Sequence, residues 1–430
     1  MPKVIEYWLR GDARRWAVLL VVLGLLKGLL FVGLTGLAVT KPFVGFNAQD
    51  NFLPIADRLL TEGRFNGPDS RGDSKVAPLY PVAIAALKAA KLPGPLVVLV
   101  FLQMLADTAT ALCMLWLGCK LSGVLTGGVA GLVWSLYPPA IVMSAWITQE
   151  SFFTTVLIAS VAVLVAAVSS AKPQVRWTLA AGLLMGLATL LRATPLMIPV
   201  FLLPVWIWKR RPFDAGAFVL GMALLIVPWT VRNWVVLQDR IVVATGTGSV
   251  ILLGSEEEQI TAADKKGPFY EEAAADGIRH GLAKPKPEYG SAIDQWLIRI
   301  ALMRYKRRLE NRPLSLVKLS ALKLLRLWYA TDTATWREEI ILALCSLLVV
   351  PLGLLQIWGW RKDNRLFFLI MGGVLLYFIA MHFVLLPLLR YMIPIYPILI
   401  LAASQRVCEV LLPQAARQSS LIPERGGTPR

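Results

Sequence analysis

Four long stretches of this sequence carry at most one charged residue each, and they constrain the fold more than any other feature. They cover residues 16–39, 95–118, 151–170 and 340–360. An α-helix needs about 20 mostly apolar residues to cross the hydrocarbon core of a bilayer. The whole chain is 57% hydrophobic and 17% charged, whereas soluble domains have about 45–50% apolar and about 25% charged residues. We therefore predict an all-α polytopic membrane protein.

The positive charge lies in the breaks between the apolar stretches. The formal net charge is +17, and Lys and Arg cluster at RGDARR (10–15), KPQVR (172–176), WKRRP (208–212) and RKDNR (361–365). Short basic loops mark the cytoplasmic side of a membrane, so topology accounts for this charge and nucleic acid is not expected as a partner. We predict about ten transmembrane helices with both termini cytoplasmic, at 16–39, 96–118, 122–144, 150–170, 177–192, 195–208, 213–231, 338–360, 366–386 and 391–412.

Two long segments then lie on the non-cytoplasmic side. In 40–95, the amphipathic NFLPIADRLLTEG and the short apolar PLYPVAIAALKAA predict a pair of interfacial helices. In 232–337, which we call the outer segment, RIVVAT and SVILLG have the β-branched content of strands. Two later stretches, from Pro287 and Pro313, predict helices, and the second is amphipathic and basic, as suits an interface. The prediction is a small α/β outer segment.

These boundaries divide the chain into four parts. Residues 1–231 form an N-terminal transmembrane module, which includes the outer loop 40–95. The outer segment 232–337 follows, and residues 338–412 form the C-terminal transmembrane helices. We expect residues 413–430 to be a disordered cytoplasmic tail.

In this topology a set of polar residues meets at the non-cytoplasmic face. Each arginine alone could be a snorkelling anchor, and Glu150 alone could cap the helix that it begins. Ionisable groups near membrane depth are costly unless they pair or serve a function, so the joint pattern favours a site. The candidates are Asp50, Lys75, Tyr80, Glu150, Arg192, Arg232, Asn233, Arg390 and Tyr391.

The residue types in this set indicate chemistry on a lipid phosphate. A phosphate at the interface needs cations and arginine forks around its oxygens. A nearby carboxylate can take a proton from an acceptor hydroxyl, and the cations can stabilise the charge of a departing phosphate. The sequence therefore predicts group transfer from a lipid-phosphate donor. With two histidines, and no paired cysteines among the four present, no metal site is predicted.

A series of short motifs occurs in the order found in one enzyme class. After Asp50 come PLYP (78–81), TQE ending at Glu150, GLLMGLATLLRATP (182–195), PWTVRN (228–233), TGTGSVILLGS (245–255) and RYMIPIYP (390–397). This series resembles the GT-C fold glycosyltransferases, in particular the bacterial branch related to protein O-mannosyltransferases and the lipid A aminoarabinose transferase.

The resemblance implies an inverting transferase with a polyprenyl-phosphate-linked sugar donor, acting on the non-cytoplasmic face of a bacterial inner membrane. It implies that Asp50 is the base that deprotonates the acceptor. Lys75 holds the position of a phosphate-contacting lysine, and Arg390 is a further phosphate ligand. Glu150 matches an acidic residue that shapes the site and in some relatives helps to hold a metal.

The sequence departs from the family pattern in ways that leave alternatives open. Asn51 and Phe52 follow Asp50 where relatives often have an acidic pair, so the base could instead be one of three other aspartates, Asp57, Asp69 and Asp73. Ser74 stands where the aminoarabinose branch has an acid, which weakens the case for a metal and leaves the cofactor unknown. No large C-terminal soluble domain was identified, which favours a lipid or glycan acceptor.

Two functions of other classes have the same hydropathy. A transporter or lipid flippase more often shows internal repeats and helix breaks at mid-membrane, whereas the candidate residues here gather at one face. A non-catalytic membrane subunit of a polysaccharide assembly complex predicts that Asp50→Asn has no effect on the activity of the purified protein.

Overall fold

The computed structural model describes residues 12–36, 52–65, 74–257, 266–286, 290–331 and 335–411. Within these ranges the chain is α-helical with short connections and contains no β-strand, which confirms the all-α prediction. The helices are α1 (Ala13–Gly36), α2 (Leu53–Glu62), α3 (Leu79–Ala89), α4 (Pro95–Leu121), α5 (Val124–Leu136), α6 (Pro138–Ala145), α7 (Glu150–Ser169), α8 (Val175–Leu191), α9 (Ile198–Lys209), α10 (Pro212–Leu237), α11 (Thr247–Leu253), α12 (Lys266–Arg279), α13 (Gly290–Asn311), α14 (Pro313–Arg326), α15 (Trp336–Asp363), α16 (Arg365–Val384) and α17 (Leu389–Leu411).

The chain is a multi-pass membrane protein. Seven of the described helices are long and apolar enough to cross a membrane, or eight if the bent pair α5 and α6 forms one span. Each of the ten predicted spans is helical, but ten spans are not confirmed, because α8 and α9 are shorter than a full crossing. As predicted, α8 and α9 are two helices, separated by the 3-10 turn Thr194–Met197.

Glycines let the membrane helices approach one another closely. A Cβ atom built on Gly182 of α8 would lie 2.1 Å from the carbonyl oxygen of Phe218 on α10. A Cβ atom on Gly221 of α10 would lie 2.4 Å from the carbonyl oxygen of Leu179 on α8. Small residues at such positions allow backbone-to-backbone packing inside membranes. The pair of glycines thus fixes how α8 and α10 lie side by side.

A buried ion pair joins α1 to the rest of the bundle. Nζ of Lys27 lies 2.8 Å from Oδ2 of Asp107 on α4 and donates a second hydrogen bond, of 3.1 Å, to the carbonyl oxygen of Ser135. Asp107 is 3% exposed. Ser135 lies just before the 55° bend between α5 and α6, where Pro138 and Pro139 begin the second helix. Lys27 therefore binds three helices together at this bend.

The outer segment is helical, so the prediction of strands at RIVVAT and SVILLG is wrong. Residues 240–245 are irregular, and most of SVILLG forms α11. The cause is Asp294 of α13, whose Oδ1 accepts hydrogen bonds from the N–H groups of Gly246 at 3.0 Å and Gly248 at 2.7 Å. A carboxylate at this end satisfies amides that a helix leaves unpaired and favours its dipole. The two predicted helices of the segment are confirmed as α13 and α14.

Helix α14 fastens the outer segment to the membrane helices. Nζ of Lys323, 2% exposed, donates to the carbonyl oxygens of Gly254 at 3.1 Å and Val384 at 2.9 Å. Burial lowers the pKa of Lys323 to about 7. Arg326 holds Glu339 of α15 through two hydrogen bonds of 2.6 and 3.2 Å. The interfacial position predicted for α14, and for the packed pair α2 and α3, stays a prediction.

Candidate active site

Glu150 and Arg192 meet at one end of the helix bundle. Glu150 is the first residue of α7, and Arg192 directly follows the last residue of α8. The two helices are antiparallel neighbours, so the start of one lies beside the end of the other. Nη1 of Arg192 lies 3.6 Å from Oε1 of Glu150, and the side chains are 11% and 7% exposed. The structure thus pairs two residues that lie 42 positions apart in the sequence.

Two residues at the start of α17 complete this arrangement. The guanidinium of Arg192 lies 4.5 Å from the centre of the Tyr391 ring, within cation–π range. Nη2 of Arg390 donates a 3.0 Å hydrogen bond to Oη of Tyr391. We call Glu150, Arg192, Arg390 and Tyr391 the polar cluster. It combines one carboxylate with two guanidinium groups around a phenol.

A histidine that sequence analysis passed over lies against the cluster. His382, near the end of α16, stacks on the ring of Tyr391 with centroids 5.1 Å apart and planes inclined by 24°. Phe378 lies 6.0 Å away from the imidazole. His382 is 1% exposed, and neither ring nitrogen makes a hydrogen bond within the described part of the chain. Its position eight residues before Arg390 was the only sequence signal.

Tyr80 is buried and holds the loop that presents Glu150. Its Oη donates a 2.6 Å hydrogen bond to Oε1 of Gln103 on α4, and Nε2 of Gln103 donates to the carbonyl oxygens of Ser144 at 3.0 Å and Trp146 at 2.6 Å. These carbonyls lie at the end of α6, shortly before Glu150. Burial raises the pKa of Tyr80 well above its usual value, and the charge of Glu150 adds to the shift. Tyr80 therefore stays protonated beside the cluster.

Sequence analysis also missed Gln103. It is an uncharged polar residue in the apolar stretch 95–118 and is completely buried. Only the fold brings its amide to the loop before α7, because its partners lie 23, 41 and 43 residues away in sequence.

Arg232 and Asn233 lie at the same end of the bundle but make other contacts. The guanidinium of Arg232 lies 4.9 Å from the ring of Trp229 and donates to the carbonyl oxygen of Phe65 at 3.3 Å. Nδ2 of Asn233, which is fully buried, donates to the carbonyl oxygen of Ile241 at 3.0 Å. In the described residues, these bonds tie the end of α10 to the segments before and after it rather than to the polar cluster.

Lys75 borders the beginning of the outer segment. Its side chain is exposed, and the preceding Ser74 is held by two hydrogen bonds to the outer segment. Oγ of Ser74 donates to the carbonyl oxygen of Val243 at 3.1 Å, and the N–H of Thr245 donates to the carbonyl oxygen of Ser74 at 2.8 Å. The glycine-threonine run of the TGTGSVILLGS motif lies next to it. Two N–H groups of this run, those of Gly246 and Gly248, donate to Oδ1 of Asp294.

The outer segment packs against Tyr391 of the polar cluster. Tyr391 packs against an apolar cluster of this segment that includes Leu252 of α11 and Phe269 of α12. Tyr270 of α12 is close enough to Tyr391 for the two phenols to interact electrostatically, and burial raises the pKa of Tyr270. Tyr391 is therefore the member of the polar cluster that borders the outer segment.

The candidate bases fall largely outside the described residues. Asp50, Asp69 and Asp73 belong to the ranges that the structure does not describe. Asp57 of α2 is described: its side chain is 57% exposed, and its Oδ1 lies 2.5 Å from Nζ of Lys88 on α3. Among the described residues, no three His, Cys, Asp or Glu side chains come together as a group that could hold a metal ion.

No protein-family model and no curated protein sequence matches this chain. The apo oligosaccharyltransferase of Archaeoglobus fulgidus has a similar structure, with a TM-score of 0.54 and 14% sequence identity over 91% of this chain. The chain has a GT-C fold. The fold that the ordered motifs predicted is therefore confirmed. This GT-C chain spans half, 50%, of the length of the oligosaccharyltransferase.

Two structures of ArnT from Cupriavidus metallidurans also align with the GT-C chain over 92% of its length. The structure bound to undecaprenyl phosphate has a TM-score of 0.43, 14% identity and 78% of its own chain covered. For the apo structure the corresponding values are 0.42, 15% and 77%.

Proposed function

We propose that this protein is an inverting glycosyltransferase that moves a sugar from a polyprenyl-phosphate-linked donor to a lipid or glycan acceptor. The observation that carries the proposal is the buried pair of Glu150 and Arg192, with Arg390 beside it, at one end of a GT-C fold. Two guanidinium groups beside one phenol suit the binding of phosphate oxygens better than they suit the role of arginines that only anchor a helix at the membrane interface.

The cluster supplies the means to bind and release a phosphate. In the proposed reaction the acceptor oxygen attacks the anomeric carbon, the bond from that carbon to the phosphate oxygen breaks, and the phosphate leaves with the electron pair. Arg192 and Arg390 stabilise the charge on the departing oxygens. Glu150 holds Arg192 in place through the ion pair. Attack from the face opposite the phosphate inverts the configuration at the anomeric carbon.

Asp50 and Lys75 are proposed in the roles that the family resemblance implies, and Arg232, Asn233 and Tyr80 in roles that follow from their contacts. Asp50 takes the proton of the acceptor hydroxyl, and Lys75 approaches the phosphate from the exposed side. Arg232 and Asn233 shape the rim of the site through the contacts at the end of α10. Tyr80 acts on the site through Gln103 and the loop before Glu150 rather than by touching the donor.

The distribution of basic loops supports a site on the non-cytoplasmic face. The loops at 172–176, 208–212 and 361–365 connect helices at the end of the bundle opposite the polar cluster. Basic loops mark the cytoplasmic side. We propose that both termini then lie in the cytoplasm and, from the resemblance to a bacterial branch, that the membrane is the inner membrane of a bacterium. One arginine of these loops also has a structural role. Arg211 is 8% exposed and donates hydrogen bonds to the carbonyl oxygens of Ser170 and Ala171.

The test is turnover by the purified protein in lipid nanodiscs with a radiolabelled polyprenyl-phosphate sugar and candidate lipid and glycan acceptors. We expect transfer of the label, and we expect Asp50→Asn to lower the rate by about 10²–10⁴-fold, the usual contribution of a general base. Asp57→Asn is the matched control, because Asp57 forms an exposed pair with Lys88.

Three results would change the proposal. Full activity in Asp50→Asn together with loss in Asp57→Asn would assign the base to Asp57. Loss in neither variant would direct the search for the base to Asp69 and Asp73. Movement of the labelled lipid across the bilayer without any transfer would favour a transporter or flippase.

A further inference from the structure

His382 is a buried polar group without a hydrogen-bonding partner in the described structure. It is 1% exposed, and neither Nδ1 nor Nε2 is hydrogen-bonded within the described residues. Leaving a buried donor or acceptor unpaired destabilises a folded protein, and nearly all buried polar groups in folded proteins are paired. A phenylalanine would fill similar space without this cost. The imidazole is therefore unexplained by packing alone.

Its neighbours place His382 at the polar cluster. The imidazole stacks on Tyr391, and the guanidinium of Arg192 lies 4.5 Å from the centre of the same ring. The charge of Arg192 also acts on the imidazole. Because α16 ends at Val384, His382 lies close to the end of the bundle at which the cluster gathers. It thus lies against the tyrosine ring that both guanidinium groups contact.

We propose that His382 is a binding residue of this site, and that its imidazole donates an N–H to a phosphate oxygen of the lipid-linked donor. The inference rests on the proposed function, because it assumes that the polar cluster receives a phosphate. An anion there satisfies the N–H that has no partner in the described structure. A neutral donor adds a directed hydrogen bond to the two guanidinium groups without adding positive charge.

The first test is nuclear magnetic resonance of the whole protein in nanodiscs, labelled with ¹⁵N at histidine only. The chain has two histidines, so the variant His280→Gln assigns both sets of ring signals. The probe is undecaprenyl phosphate, followed by its ³¹P signal in the same sample, and undecaprenol without phosphate is the control. We expect undecaprenyl phosphate, and not undecaprenol, to shift the ring ¹⁵N signals of His382.

The ³¹P signal of the lipid and the ¹⁵N signals of His382 together separate this inference from the proposed function. A change of the ³¹P signal with unchanged His382 signals would overturn the contact and leave the proposed donor intact. An unchanged ³¹P signal would overturn the proposed donor and the contact with it.

The second test uses two substitutions. His382→Phe fills the site without a donor, so the affinity for undecaprenyl phosphate should fall about tenfold or more, while the thermal stability of the free protein stays equal or rises. His382→Gln retains an N–H donor and should recover part of the affinity. A fall in stability with unchanged affinity in His382→Phe would show that the imidazole serves packing alone and would overturn the inference. His280→Gln is the matched control, since His280 is 42% exposed on the outer segment.

Discussion

Arg192 combines several interactions in one side chain. It forms an ion pair with Glu150 and lies over the rings of Tyr391 at 4.5 Å and Phe153 at 5.8 Å. A planar guanidinium can stack and form a fork at the same time, whereas an ammonium cannot. The identity of the cation, and not only its charge, therefore matters here.

Arg192→Lys should lower kcat/KM for the polyprenyl-phosphate sugar by roughly tenfold or more, because the charge stays and the bidentate geometry is lost. Steady-state kinetics in nanodiscs measure the effect. Arg176→Lys is the matched control, since Arg176 is exposed at the start of α8, at the opposite end of the bundle. Equal kinetics in both variants would remove Arg192 from the binding of the donor.

Gln103→Leu should lower both stability and activity. The change leaves Oη of Tyr80 and the carbonyl oxygens of Ser144 and Trp146 without their shared partner, at a cost of about 1–3 kcal/mol for each group that stays unsatisfied. It also loosens the loop that presents Glu150. Thermal unfolding and kcat are the measurements. Tyr80→Phe removes only one of the three bonds and should have a smaller effect, and an equal loss in both variants would contradict this account.

The residues of the site were predictable to different degrees. Glu150, Arg192, Arg390 and Tyr391 belong to ordered motifs, and the fold brings all four together. Their grouping with His382 was not predictable, because that residue lies in an apolar stretch with no motif around it. The chain must turn between α16 and α17 to stack His382 on Tyr391, and this turn geometry leaves no trace in a single sequence.

At the level of elements, the glycines of α8 explain part of a motif that sequence analysis quoted for its resemblance alone. Gly182 and Gly186 lie in the same stretch as Arg192, and a Cβ on Gly186 would lie 2.9 Å from the carbonyl oxygen of Met222. The motif thus positions the end of α8 by allowing α10 to pack closely. Its glycines act on the site indirectly, because they set the position of α8 and so the position of Arg192, which follows it.

Gly182→Ala should destabilise the protein by about 1–3 kcal/mol or more, because the added methyl group would lie 2.1 Å from backbone that cannot move alone. The matched control is Gly216→Ala on α10, where nothing lies within 4 Å of the added atom. That control should be neutral or slightly stabilising, as alanine favours helices. Thermal unfolding in detergent compares the two, and equal effects would refute the close contact.

The helices were predictable, but the strands predicted for the outer segment are absent from the described residues. Long apolar runs and basic breaks indicate the places of α1, α4 and the later membrane helices without any tertiary information. The β-branched SVILLG favours a strand by local preference, but Asp294 lies 46 residues beyond Gly248 and supplies the cap of a helix. Tertiary contacts overrode a weak local preference. Ten spans are not confirmed, because α8 and α9 are apolar but shorter than a full crossing.

At the scale of the whole molecule, Lys323 joins the outer segment to the membrane helices, and its protonation links this joint to pH. Its pKa is about 7 in the folded protein and about 10.4 in an unfolded chain. Between these values the unfolded chain holds a proton that the folded protein lacks. The contribution of Lys323 to stability therefore increases with pH across this window, by up to about 1.4 kcal/mol per pH unit, and is constant below pH 7.

Comparing thermal unfolding of the native protein and Lys323→Met between about pH 7 and pH 10 tests this link. Lys323→Met should lose stability at every pH, because the carbonyl oxygens of Gly254 and Val384 lose a donor. It should also lose the rise of stability with pH that Lys323 contributes. Arg326→Met is the control, since it breaks a neighbouring link to Glu339 without removing a group that titrates in this window. Parallel pH curves for the native protein and Lys323→Met would contradict the link.

The pair of Lys27 and Asp107 also has a consequence for biosynthesis. Lys27 leaves the ribosome 80 residues before its partner, which at about 5–20 residues per second is a delay of roughly 4–16 s. During this time α1 must enter the membrane with an ammonium group that Asp107 cannot yet neutralise, at a cost of about 2.5–3.5 kcal/mol on insertion scales. The arrival of α4 removes that cost. Assembly of the bundle thus begins with a helix, α1, whose buried charge is neutralised only when α4 packs against it.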